Sequence, residues 1–81
     1  MRLRGEQFRA ARNLLMIEQQ DLAKRANISL STLKRIENTP GPVRASYENV
    51  EALQTALETA GVEFTNGDQP GVRLAPGVRP E

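Results

Sequence analysis

Neither cysteine nor histidine occurs among the 81 residues of this chain. Without cysteine there is no disulfide to staple a short fold, no thiolate metal site and no thiol nucleophile. Without histidine the commonest general base and the commonest metal ligand are missing too. A phosphate-cradling glycine loop and a constellation of clustered carboxylates are also lacking, so an enzyme would have little to work with. The chain is expected to be no enzyme, with no metal, no cofactor and no evident small-molecule ligand. No apolar run approaches the ~20 residues that span a bilayer. Met1-Arg2-Leu3-Arg4 is basic, but no apolar signal-peptide core follows it. A cytoplasmic protein with no membrane partner is expected.

A chain of this length makes one domain with a modest core. The net charge of +1 conceals a division. Residues 1–45 hold nine Lys/Arg against the acids Glu6, Glu18, Asp21 and Glu37, a net +5, whereas residues 46–81 hold two Arg against six acids, a net −4. Such polarity suits a protein with one anion-facing side.

Phe8, Ala11 and Leu15 follow helical spacing and predict an amphipathic helix from about Arg4 to Leu15, with Arg9 and Arg12 outside. Leu22, Ala23 and Ala26 predict a second from Gln19 to about Ala26, with Glu18 as a mediocre N-cap. Asn27 breaks it, because asparagine adopts the left-handed conformation at low cost. Ile28 re-enters the core and Ser29 caps a third helix, reaching about Glu37, with Leu33 and Ile36 inward. Thr39-Pro40-Gly41-Pro42 is a stop and a loop, which Val43 pins to the core. Ser46 caps a fourth helix to about Ala60, with Tyr47, Val50, Leu53 and Leu57 as its stripe and Gly61 ending it. Val62-Glu63-Phe64 and Val72-Arg73-Leu74 read as short β segments, either a hairpin or two extended pieces, around the turn dipeptide Asn66-Gly67. Residues 76–81 read as a flexible tail.

The stretch QQDLAKRANISLSTLKRIEN, Gln19 to Asn38, carries the functional information. Its apolar and small positions suit two helices crossing steeply through a tight turn at Asn27. Ala23 is small where the other helix passes. The opposite face of the second helix is left open, with Ser29, Leu30, Ser31 and Thr32 at its start and Lys34 and Arg35 further on. A helix start of this kind enters the major groove of DNA and meets base edges. Hydroxyls donate or accept there, Leu30 suits a thymine methyl, and Lys34 or Arg35 suits guanine or a phosphate. Spacing alone does not divide those last two roles. Gln19, at the start of the preceding helix, is suited to a phosphate.

The runs FRAARNLL and QxxLAxxAxISxxTLxRIE, followed by a loop and a further amphipathic helix, resemble the Cro/repressor-type helix-turn-helix proteins, also called the XRE family. The resemblance covers about the first three-quarters of the chain. It implies a mostly α, four-helix, lambda-repressor-like domain over residues 1–61, with residues 62–75 as added β segments. It further implies a sequence-specific, double-stranded-DNA-binding transcriptional regulator in the bacterial cytoplasm or nucleoid. Small members often belong to phages or mobile elements. By this likeness Leu30, Ser31, Thr32, Lys34 and Arg35 are base-contacting candidates. Gln19, Ser29 and Asn38, with Arg9 and Arg44 by position and charge, are phosphate candidates. Arg12 and Glu37 match a mostly buried structural ion pair. Asn27 stands where the family usually has glycine, and the Thr39–Arg44 loop is richer in proline than usual.

Two matters stay open at this level. The β segments either fold back on their own domain or join two copies through Val62, Phe64, Val72 and Leu74. The alternative function is a protein-interaction module, an anti-activator or antitoxin-like partner, with the acidic C-terminal half binding a regulatory protein. The polar, basic recognition face argues for DNA, since an interaction surface favours exposed aromatics. With no sensor domain or pocket evident, concentration, cooperativity or a partner would supply control.

Overall fold

In the computed structural model, residues 3–65 and 69–80 are described. Among them the order is α1 (Gly5–Leu15), α2 (Gln19–Ala26), α3 (Leu30–Asn38), α4 (Tyr47–Thr59), β1 (Val62–Thr65) and β2 (Gly71–Leu74). The expected mostly α domain with a short antiparallel β pair is the one found. The positions of Arg2, of Asn66-Gly67 and of Glu81 lie outside the described residues. No described helix is long and apolar enough to cross a membrane.

Phe8, Leu15, Leu22, Leu33, Leu53 and Leu57 form the fully buried centre, one or two from each helix. Each such side chain contributes about 1.5–3 kcal/mol by leaving water. Helices α1 and α2 both end on a left-handed residue, Met16 (φ 59°) and Asn27 (φ 55°). In both cases the next residue is an isoleucine whose N–H reaches back five residues, Ile17 to Arg12 O (3.4 Å) and Ile28 to Ala23 O (3.0 Å). Asn27 suits this conformation. Met16 does not, and the cost of about 1–2 kcal/mol is offset by burial of Ile17. Glu18 makes no side-chain cap bond, whereas Ser29 and Ser46 accept from Thr32 N and Asn49 N.

The ribbon β1–β2 is antiparallel, with Val62 opposite Leu74 and Phe64 opposite Val72. It folds back on its own domain. Val62 is buried, and the rings of Phe64 and Phe8 meet with centroids 5.6 Å apart. Val62 and Phe64 are therefore turned onto this chain's own core, and as dimerisation candidates they offer little free surface. Val72 and Leu74 are half-buried against the same core. The chain beyond β2 is held as far as Val78, which packs on the core, while Ala75 N donates to Gly61 O (2.8 Å). Gly61 has φ +112°, and a Cβ there would run into the Val78 side chain.

Gln7 ties this ribbon to the start of α1. It is a polar residue at 4% exposure. Its Nε2 donates to Thr65 O (3.1 Å) and Gly71 O (3.2 Å), at the loop end of the ribbon, and its Oε1 accepts from Arg4 N (2.8 Å). Tyr47, expected in the apolar stripe of α4, is instead 79% exposed. It occupies the first residue of α4, outside the layer held by Leu53 and Leu57, and a hydrogen bond with Glu51 pushes its hydroxyl pKa up.

Gln7→Ala removes both strand anchors and the partner of Arg4 N–H. Urea unfolding should show a loss of about 1–3 kcal/mol, the range for leaving buried polar groups unpaired. A loss below about 0.5 kcal/mol would mean that water replaces the amide without penalty.

Candidate nucleic-acid interface

Helices α2 and α3 meet at the left-handed Asn27, followed by the half-buried Ile28; Ala23 and Ala26 of α2 are buried, and Ala26 also lines a groove between α2 and α4. Ser29 accepts from Thr32 N (3.1 Å) and shares a hydroxyl–hydroxyl hydrogen bond with Thr32 (2.7 Å). Only one of those two hydroxyl hydrogens therefore remains for an outside partner. Ser29 is chiefly the cap of α3.

Arg12 and Glu37 fix the unit to α1. Arg12 Nε donates to Glu37 Oε2 at 2.8 Å and its Nη2 to Oε1 at 3.0 Å, a bidentate fork. Its Nη1 donates to Ile17 O at 3.0 Å, and Gln19 Nε2 donates to Glu37 Oε1 at 3.1 Å. The Glu37 side chain is 1% exposed and that of Arg12 15%. One carboxylate on α3 thus receives donors from α1 and from the first residue of α2. Gln19 is half-buried with part of its amide engaged inside, leaving one N–H hydrogen and its carbonyl for a phosphate.

The outer face of α3 follows from its helical spacing. With Leu33, Ile36 and Glu37 inward, Ser31, Arg35 and Asn38 point most directly outward, Leu30 and Lys34 lean to one flank, and Thr32 leans to the other. Ser31, Lys34, Arg35 and Asn38 are exposed, while Leu30 and Thr32 are half-buried. On the flank toward α1, Arg9 and Asn38 line one cleft of about 320 Å³ together with Asn13, Pro40 and two acids, Glu6, which pairs with Arg4, and Glu37, which pairs with Arg12. Arg44 is exposed on the loop before α4.

Charge pairing separates these cations from others. Arg4 pairs with Glu6, Arg12 with Glu37, Arg25 with Asp21 and Arg73 with Glu63. The side chains of Arg9, Lys34, Arg35 and Arg44 make no ion pair or hydrogen bond with any described residue. Lys24, on the exposed side of α2, is also unpaired. Acids are absent from the outer face of α3, since its single carboxylate, Glu37, is turned inward.

The loop carrying Arg44 is stitched to the N-terminal segment. Gly5 N donates to Gly41 O (2.9 Å), Val43 N donates to Leu3 O (3.1 Å), and Arg4 bridges to Pro42. Gly5 has to be glycine, because a Cβ there would strike the carbonyl oxygens of Ile36 and Thr39 at the end of α3. Glu6 Oε1 accepts from Gly41 N at 2.9 Å. Its own backbone N–H first, then Gly41 N–H and the Arg4 guanidinium, hold its carboxyl at about 2. Sequence reasoning missed Gly5, Glu6 and Leu3 here. A basic start with one acid and one glycine gave no sign of pairing with a loop more than thirty residues away.

A compact two-helix unit with a polar, cationic outward helix, held from behind by a buried ion pair, defines a DNA-binding helix-turn-helix domain. A family model described as Helix-turn-helix matches residues 8–64, more than half of the sequence. The chain belongs to that family, in its Cro/repressor or XRE type, and is a DNA-binding transcription regulator. No curated protein matches it.

Arg12→Ala leaves the Glu37 carboxylate buried without its counter-charge, and urea unfolding should show a loss of about 3–5 kcal/mol. The double change Arg12→Met/Glu37→Leu should recover most of that loss, since burying two apolar groups avoids the stranded charge. If the double variant were as unstable as the single, directed hydrogen bonding rather than charge burial would dominate.

For Glu6 the folded pKa, about 2, lies below the ordinary value of 4.5. Its contribution to stability is therefore complete above pH 4.5 and is lost as pH falls toward 2. Glu6→Gln should flatten the acid limb of the unfolding curve over that window. An NMR titration should show the Gly41 amide moving with the Glu6 carboxyl; a Gly41 shift independent of pH would remove the contact.

Proposed function

We propose that this regulator binds operators of two related half-sites as a homodimer, with one α3 in each of two successive major grooves about 34 Å apart. It represses by occupying promoter DNA, and it activates where it sits beside the polymerase site instead. The observation that carries this reading is the set of unpaired cations around a helix face that bears no exposed acid. Leu30, Ser31, Thr32 and Lys34 meet base edges, with Arg35 beside them. Gln19, Asn38, Arg9 and Arg44 meet phosphates, and Ser29 contributes through its cap. The domain measures 31 × 30 × 18 Å. Two copies spaced by one turn of DNA would therefore nearly touch, which favours a dimer with a small contact.

For residues 1–61 we infer the DNA-binding role, and for the ribbon, residues 62–75, the subunit contact. As a two-stranded sheet the ribbon has no neighbouring described strand on its outer edges, where a second chain could pair, and Val72 and Leu74 are partly exposed there. Val62 and Phe64 would act by holding it in place. A second reading, docking of a regulatory protein, is favoured by one observation. Tyr47 stands exposed beside Glu48 and Glu51 at a groove of about 630 Å³ between α2 and α4.

The test is a salt-series titration with the chain's own promoter and a scrambled duplex, with complex size followed by sedimentation. A tight, salt-sensitive preference for the promoter with two subunits per site is expected. Ser31→Ala should change the preferred sequence, while Arg44→Ala should weaken all sequences and flatten the salt slope by about 0.9. Val72→Lys, checked for retained helicity, should weaken dimerisation; an unchanged sedimentation coefficient would move the contact elsewhere, with Tyr47→Ala the next variant. Absence of binding to either duplex at low salt would favour the protein-docking reading.

A further inference from the structure

We propose that Arg35 and Arg44 form one clamp for a single phosphate of the DNA backbone, so that Arg35 positions the helix rather than reading a base. This assignment rests on the DNA-binding reading. Both arginines line one recess of about 190 Å³, with Ile36, Thr39 and Val43 completing it. It lies on the flank of α3 away from the cleft that holds Arg9 and Asn38. The two recesses thus bracket the outward face of the helix, as the two phosphate walls of a groove bracket what enters it.

The chemistry of the recess fits a phosphate. Ile36 and Val43 are buried and make an apolar floor. No acid lines the recess, and neither guanidinium has an ion pair or hydrogen bond with any described residue. Two like charges lining one recess repel, and an anion between them turns repulsion into attraction. The guanidinium fork matches phosphate oxygens. Position along the helix agrees. Arg35 lies five residues beyond Leu30, about 7.5 Å further along the axis, in the last turn of α3. Base edges are met by the opposite, N-terminal end of such a helix.

One feature of the site opposes an anion: the last turn of a helix carries partial negative charge on its free carbonyls. Thr39 Oγ1 donates to Arg35 O at 2.7 Å and covers one of them. The remaining opposition means that one arginine alone holds the phosphate poorly, and the two act as a unit.

The test is fluorescence anisotropy of the full chain with a labelled random-sequence duplex, from about 50 to about 200 mM salt, for wild type, Arg35→Ala, Arg44→Ala and the double variant. Both residues are exposed, so the variants should fold, and circular dichroism checks this. Each single change should lower the salt slope by about 0.9, so that its affinity relative to wild type changes roughly 3- to 4-fold across the range. The double variant should lose no more slope than either single, and its affinity loss should fall short of the product of the two. Slope losses that add to about 1.8 would mean two separate phosphates and overturn the shared clamp. So would an Arg35→Ala variant with an unchanged slope and a changed preferred sequence in selection from a random pool, the result expected of a base reader. That outcome would leave the DNA-binding reading standing. Wild type that binds no duplex at any salt would overturn both. A second arm compares melting in sodium phosphate with sodium chloride of matched ionic strength. Equal melting shifts for wild type and double variant are expected; a phosphate-specific rise lost in the double variant would make the recess a site for free phosphate and overturn its assignment to DNA.

Discussion

The Glu37 carboxylate is the point on which the arrangement of helices depends. Three helices send a group to it or carry it: α3 holds it, α1 supplies the Arg12 fork and α2 supplies the Gln19 amide. A buried ion pair is weak evidence of net stability, because desolvation consumes much of the attraction. Its value lies in direction. The fork accepts one orientation of the carboxylate, and the third Arg12 nitrogen donates to Ile17 O at the turn before α2. Displacing α3 along α1 by one residue would break several directed bonds at once, whereas Leu33 and Ile36 would find other apolar contacts. The apolar core holds the helices together, and the polar network holds them in register.

That register has its use on the outer side of α3. Four cations are neutralised by partners within the fold, and the unpaired ones around α3 stand over a face with no exposed acid. An acid next to Arg35 or Lys34 would pair with it and weaken the field there. By taking up its carboxylate at Glu37 inside, α3 keeps its exterior cationic. The same residue therefore positions the helix and clears its surface of negative charge.

The helix-turn-helix was legible because its determinants are local. Asn27 tolerates the left-handed turn, Ser29 has the chemistry of a cap, and the spacing of Leu22, Ala23, Ile28, Leu33 and Ile36 marks the inner face. The features that are not legible depend on distant partners. Met16 has no local reason to be left-handed; the burial of Ile17 overrides its preference. Gln7 reads as surface until the carbonyls of Thr65 and Gly71, 58 and 64 residues on, come to it. Tyr47 fits the apolar stripe of α4 by spacing, but the first turn overhangs the core and leaves the ring in water. The β segments are legible in the alternation of Val62, Phe64, Val72 and Leu74, whereas their direction of packing is not, since Val62 and Phe64 suit a partner's surface as well as Phe8.

Helix α1 connects two regions that would otherwise be independent. Its first turn carries Gln7, which grips the ribbon, and its last turn carries Arg12, which grips α3. Phe8 lies between them and packs on Phe64. A helix resists bending over so short a length, because shifting one turn strains the hydrogen bonds of the next. The ribbon and the Arg12 fork are therefore held at fixed positions along α1, and the loop between α3 and α4 is tied to the same helix start through Gly5, Glu6 and Leu3. If the ribbon meets a second copy, that contact and α3 are joined by one rigid rod. The spacing of the two α3 helices is then set by α1 as much as by the contact itself.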